Sequence, residues 1–181
     1  MTLPPPGVEV LLLIVVLAAA VYDVRYRRIA NWISVGGAIL GVLSNWLMHR
    51  TAGLTFALAG LALGFGLYFL LYLIHAMGAG DVKLMAAIGA LVGWKAWVAI
   101  FVITAILGGI MAMILIMARK RVKKTFWNIG FVLSEMRHGR AAYVRREELD
   151  VHSPKSMGLP HGAVIAVSTI FYLALAAHFM R

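Results

Sequence analysis

The sequence of 181 residues contains no cysteine, which excludes disulfide frameworks, thiolate metal sites and cysteine nucleophiles. Acidic residues are also few: seven Asp and Glu stand against seventeen Lys and Arg, and the net charge is +10. Hydrophobic residues make up 62% of the chain, whereas a soluble domain is about half apolar. The composition therefore predicts a membrane protein, and the basic excess indicates membrane topology and not nucleic-acid binding.

Charge is nearly absent from six stretches, and a bilayer is crossed by about 20 apolar residues. The stretches are Gly7–Tyr22, Trp32–Met48, Leu54–Met77, Val82–Trp94, Ala96–Ala118 and Leu159–Met180. Val82–Trp94 is the shortest and would reach only about 20 Å, so it crosses only if neighbouring helices shield its ends. We predict an all-α polytopic membrane protein with about six transmembrane helices, forming one domain over residues 1–181.

The basic residues predict the orientation, because Lys and Arg accumulate in cytoplasmic loops. With the N-terminus outside, the inner segments would hold all of the basic residues except Arg50, Lys95 and Arg181. A cleaved signal peptide needs a basic region before its apolar segment, but here the basic cluster "RYRR" follows that segment. We therefore expect an uncleaved first helix with its N-terminus outside.

Residues 119–156 form the only long polar segment, and the predicted topology puts it in the cytoplasm. Within it, Phe126, Ile129, Leu133 and Met136 recur at helical spacing and would give a helix one apolar face. With "RKRVKK" before it, this helix would lie at the interface against anionic lipid. A solvated basic loop with a helix packed on the bundle is an equally good interpretation.

Two of the seven acids fall at the ends of predicted membrane helices. Asp23 follows the first helix in "AAAVYDVRYRRIANW", and Asp81 opens the fourth in "HAMGAGDVKL". The topology puts both at the cytoplasmic edge of the membrane, where an acid is costly and therefore a candidate for function. Each also has a structural explanation, since Asp is common at helix ends and glycine in turns.

Two nearby carboxylates suit peptide hydrolysis, because they share one proton. The charged carboxylate would take a proton from a water that attacks a peptide carbonyl, and the protonated one would bond the carbonyl oxygen and protonate the leaving amine. The pair titrates together, so neither aspartate is assigned as the acid or the base. Gly78 and Gly80 would let a substrate strand approach, and Asp81 would cap the fourth helix.

Other chemistry has little support in the sequence. The six histidines are scattered, and no His-Glu-x-x-His motif is present. Ser168 lacks the flanking glycines and the placed histidine that a serine protease would need. We therefore expect neither a metal nor a cofactor.

The ordered motifs "YDVRYRRIAN", "GAGDVKL" and "GLPHGAVIA" resemble those of the type IV prepilin peptidases, the Gly-x-Gly-Asp membrane aspartyl proteases. The resemblance implies catalytic roles for Asp23 and Asp81, with Gly78, Gly80, Lys83 and Asn31 matching the surrounding motifs. It also implies a multi-pass protein of the bacterial inner membrane. A cytoplasm-facing site would cut the basic leader from prepilins, so the expected partners are prepilin peptides and membrane lipid.

Two departures refine the resemblance. The family usually has Ile-Pro-Asn where this chain has Ile29, Ala30 and Asn31. Larger members carry a cysteine-rich zinc segment and also methylate the new N-terminus, whereas this chain has no cysteine. It is therefore similar to the small, peptidase-only form of tight-adherence (Flp) pilus systems. The competing hypotheses are a non-enzymatic subunit of a pilus or secretion assembly, and a small proton-coupled transporter with Asp81 as the proton site.

Overall fold

The computed structural model describes residues 4–120 and 160–179 and, between them, residues 125, 127, 128, 130, 131 and 134. The long segments of the described chain are entirely helical. The helices are α1 (Pro6–Tyr26), α2 (Asn31–Leu73), α3 (Ala79–Ala118) and α4 (His161–Phe179). Each is long and apolar enough to cross a membrane. The all-α prediction is therefore confirmed for this part of the chain.

Helix α2 is a helical hairpin and not one rod. Its 43 residues are interrupted at Arg50, where φ is 50° and ψ is −129°. The carbonyl of Asn45 occupies the space that a Cβ on Gly53 would need, although eight residues of straight helix would separate these positions by about 12 Å. The chain therefore turns back at Arg50, and residues 31–49 pack against residues 51–73.

Helix α3 turns back in the same way at Gly93. This glycine has φ of 71° and ψ of 173°, a region that side chains with a Cβ rarely adopt. Across the turn, the indole Nε1 of Trp97 donates to the carbonyl of Met85 at 3.0 Å, whereas twelve residues of straight helix would span about 18 Å. Residues 79–92 and 94–118 therefore form a second hairpin.

Glycines bring the two hairpins together. The backbones of Gly60 and Gly89 touch, and Gly41 packs on the backbone of Ala90 and Leu91. Small residues permit such close approach between membrane helices, where packing and not hydrophobic burial drives association. Residues 82–92 are buried as a result, apart from the partly exposed Lys83, so the segment predicted as the shortest span is shielded by its neighbours.

Helix α1 completes the bundle with one buried and one exposed face. The exposed side chains are apolar and suit contact with lipid: Val10, Ile14, Leu17 and Val21. The buried side chains recur at helical spacing and end in an acid: Val8, Leu12, Val15, Val16, Ala19 and Asp23. The helix continues to Tyr26, so the expectation that Asp23 lies beyond its end is wrong, and this carboxylate sits in the last turn facing the bundle.

The predicted helical face of the 119–156 segment lies outside the described residues. The structure does not describe Phe126, Ile129, Leu133 or Met136. The six described positions between 125 and 134 are all helical. The interfacial helix stays a prediction.

Candidate active site

Asp23 is buried, with 7% of its surface exposed, and it faces the first turn of α4. The backbone N–H of Gly162 donates to Asp23 Oδ2 at 2.8 Å, and the N–H of Ala163 also bonds this carboxylate. The N-terminal end of a helix carries a partial positive charge and unpaired N–H groups, which suit an anion. Helix α4 therefore holds the carboxylate of α1 in one orientation.

Asp81 is partly buried in the first turn of α3. The prediction that Asp81 caps this helix is wrong in position, because Gly78 occupies the N-cap in an extended conformation. The Asp81 carboxylate instead folds back towards Gly78, whose backbone N–H bonds it. A Cβ on Gly78 would lie 3.4 Å from Asp81 Oδ2, so the glycine leaves this approach open.

The two carboxylates, which are far apart in sequence, interact electrostatically. Asp23 comes from the last turn of α1 and Asp81 from the first turn of α3, so both lie at the same end of the bundle. Two carboxylates that interact in this way disfavour ionising together, which suits the water activation that a pair of acids performs. The structure thus brings together the two acids that the sequence singled out.

Lys83 and Asn31 form a hydrogen bond next to the elements that carry these acids. Lys83 Nζ donates to Asn31 Oδ1 at 2.8 Å. Asn31 is the first residue of α2, just after the loop that follows Asp23, and Lys83 lies two residues beyond Asp81. The contact therefore fixes the start of α2 against the start of α3.

Ile29 fills the space between the first turns of α3 and α4. A Cβ on Gly80 would lie 3.0 Å from Ile29 Cβ, and one on Gly162 would lie 3.1 Å from Ile29 Cδ1. The two glycines thus let the loop after α1 wedge between these helices. Sequence reasoning gave Ile29 no role of its own, although the residue stands in the "RIAN" stretch that precedes α2.

Tyr68 is a further residue that sequence reasoning missed. It lies on residues 51–73, it is 1% exposed, and it interacts electrostatically with Asp81. No sequence signal marks it, because its place beside the acid depends on how the two hairpins pack.

Side chains that could bind a metal ion do not cluster at this site or elsewhere in the described part of the chain. No group of three or more His, Cys, Asp or Glu side chains is close enough to hold an ion there. The chemistry that these side chains offer is that of a carboxylate pair: activation of a water and transfer of its proton.

A model of the type IV leader peptidase family matches residues 10–113, a range that contains both aspartates and ends before α4. No curated protein and no solved structure matches the chain.

Proposed function

This chain belongs to the type IV leader peptidase family, and on that premise we propose that it is a membrane aspartyl endopeptidase that removes the basic leader of prepilins. The observation that carries the proposal is the convergence of Asp23 and Asp81, contributed by α1 and α3, at one end of an apolar helical bundle. Burying an acid at such a depth costs free energy, so an acid found there is a candidate for a functional role.

The proposed reaction uses the two carboxylates and a water. The charged carboxylate takes a proton from the water, whose oxygen attacks the carbonyl carbon of the scissile peptide. The protonated carboxylate bonds the carbonyl oxygen and then gives its proton to the leaving nitrogen. The Gly162 N–H holds Asp23 in place throughout, which lowers the reorganisation needed at the moment of attack.

The proposed topology has six crossings with the N-terminus outside. Two findings support it: α2 and α3 each turn back midway, at Arg50 and Gly93, and a straight 43-residue helix would be about 65 Å long against a hydrocarbon core of about 30 Å. With α1 entering from outside, the end that carries Asp23 and Asp81 faces the cytoplasm. Most basic residues then lie on the same side.

The proposed substrate fits this depth. A prepilin has a basic leader followed by an apolar helix. The leader would stay in the cytoplasm among the lipid headgroups while the helix lies in the bilayer, so its scissile bond would meet the aspartates at the membrane edge. The absence of cysteine and the short link from Asp23 to Asn31 support the small, peptidase-only form of Flp pilus systems in the bacterial inner membrane.

The test is co-expression with candidate Flp-type prepilins, followed by N-terminal sequencing of the product. The wild-type chain should release the leader, and Asp23→Asn and Asp81→Asn should each abolish cleavage while still inserting into the membrane. Glu9→Gln is the matched control, since it makes the same acid-to-amide change at the opposite end of α1. Full cleavage by either aspartate variant contradicts the pair, and pilus assembly by the double variant favours a non-enzymatic subunit.

A further inference from the structure

The residue that calls for an explanation is Tyr68, a buried tyrosine that lies between two exposed phenylalanines of the same helix. Phe65 and Phe69 are 43% and 38% exposed, while Tyr68 is 1% exposed. A buried phenol usually has a polar partner for its hydroxyl. The packing of α2 on α3 indicates which partner that is.

Residues 51–73 of α2 and residues 79–92 of α3 pack antiparallel in a fixed register. Gly60 touches Gly89, and one turn further along α2 the site of a Cβ on Gly64 lies 2.5 Å from the carbonyl oxygen of Met85. Four residues forward on α2 therefore match four residues back on α3. The next step of this register sets Tyr68 against Asp81.

Aromatic neighbours fix the ring of Tyr68 at that level. Its centroid lies 6.3 Å from that of Trp97 and 6.0 Å from that of Phe101, edge-to-face in both pairs. Trp97 and Phe101 stack on each other at 5.4 Å, and the Trp97 indole is anchored on the carbonyl of Met85. The ring is therefore held against this stacked pair, and Tyr68 interacts electrostatically with Asp81.

We propose that Tyr68 is a positioning residue of the carboxylate pair: its hydroxyl donates towards Asp81, directly or through one bridging water, and orients this carboxylate towards Asp23. The inference rests on the proposed peptidase function and deepens it. A hydrogen bond from a neutral hydroxyl suits this place, since it can hold a carboxylate without bringing a competing charge into the bundle.

The kinetic test compares Tyr68→Phe with the wild type on a prepilin that the wild type cleaves. The variant keeps the ring and its packing, so kcat should fall about tenfold to a hundredfold, the factor for one hydrogen bond to a charged group. KM should stay within about twofold, because prepilin binding does not use this hydroxyl. Tyr172→Phe is the matched control: Tyr172 is also 1% exposed but lies about 15 Å along α4 from Gly162. An unchanged kcat in Tyr68→Phe, with wild-type cleavage intact, overturns the inference and leaves the peptidase proposal standing.

A second measurement does not depend on cleavage. Thermal unfolding in detergent is compared for Tyr68→Phe, Asp81→Ala and the double variant. If the hydroxyl is bonded to Asp81, the two changes are not additive, whereas independent residues give additive shifts. Additive shifts overturn the inference even if no prepilin is cleaved, and a clear coupling supports it in that case.

Discussion

Lys83 Nζ donates to Asn31 Oδ1 at 2.8 Å, and this contact joins the start of α2 to the start of α3. Asn31 opens α2 directly after the loop that leaves Asp23, while Lys83 stands in the first turns of α3 beside Asp81. Together with the packing of Ile29 against Gly80, the hydrogen bond limits how far one aspartate can move from the other.

Loss of this bond should reduce activity. Lys83→Met keeps the apolar stem and removes the donor, so kcat/KM for prepilin cleavage should fall about threefold to tenfold, in line with a partly exposed bond to a charged group. Asn31→Ala should give a similar loss, and the double variant should be no worse than either. Lys95→Met, at a lysine that lies over the Trp94 ring just after the turn at Gly93, should cleave normally. Losses that add in the double variant would show that the two residues act separately.

Gly162 should tolerate no side chain without a loss of activity. A Cβ there would lie 3.0 Å from Asp23 Oδ2, which is too close for the carboxylate to keep its place. Gly162→Ala should lower kcat by about tenfold, because it displaces a reacting group by a fraction of an ångström, and thermal stability should change little. Gly109→Ala is the control, since nothing lies within 4 Å of its Cβ position. Equal kcat for the two variants would contradict the role given to α4.

The turn at Gly93 should depend on Asn45. Asn45 Nδ2 donates to the carbonyls of Ala90 and Leu91 at 3.0 and 3.2 Å, which lie just before the turn. A buried carbonyl without a partner costs about 1–3 kcal/mol, so Asn45→Ala should lower the free energy of unfolding by that amount. Ser44→Ala removes only local bonds to the carbonyls of Leu40 and Gly41 and should have little effect. Equal stability of the two variants, measured by thermal unfolding in detergent, would argue against this role.

The contact between the hairpins should be intolerant of a single methyl group. A Cβ on Gly60 would overlap the carbonyl of Gly89, so Gly60→Ala forces the backbones apart and should destabilise the protein by about 1–3 kcal/mol. Gly66→Ala, on the same helical segment with open space around its Cβ position, should be neutral or slightly stabilising. A melting temperature for Gly60→Ala that matches the wild type would contradict the close approach of these helices.

The six-crossing topology can be tested directly because the chain has no cysteine. Arg50→Cys and Lys95→Cys should react with a membrane-impermeant maleimide on intact cells. Arg28→Cys should react only after the inner membrane is opened. Protection of Arg50→Cys in intact cells, with labelling after lysis, would contradict the second crossing.

Much of the site followed from the sequence because its acids are rare. With so few carboxylates in an apolar chain, Asp23 and Asp81 stood out, and the alternation of spans predicted that they share one end. The last turn of α1 was missed, since the polar run "DVRYRR" suggested that the helix had ended, while the backbone N–H of Arg27 still bonds the carbonyl of Asp23.

Tyr68 could not be predicted, for a different reason. Its position beside Asp81 depends on the register of two helices, which is set by backbone contact at Gly60 and Gly89. The glycines in the sequence predict close helix packing, but their spacing does not indicate which glycine of one helix contacts which glycine of the other. A shift by one turn would pair Asp81 with another side chain.

The N–H groups that hold Asp23 come from α4, which is synthesised after the other three described helices. On the proposed function, a nascent chain that has inserted only its first two hairpins carries both acids but has no donor for one of them. Proteolytic competence would then arise only after α4 has been synthesised and has docked. Half-made copies in the membrane would be harmless to neighbouring proteins.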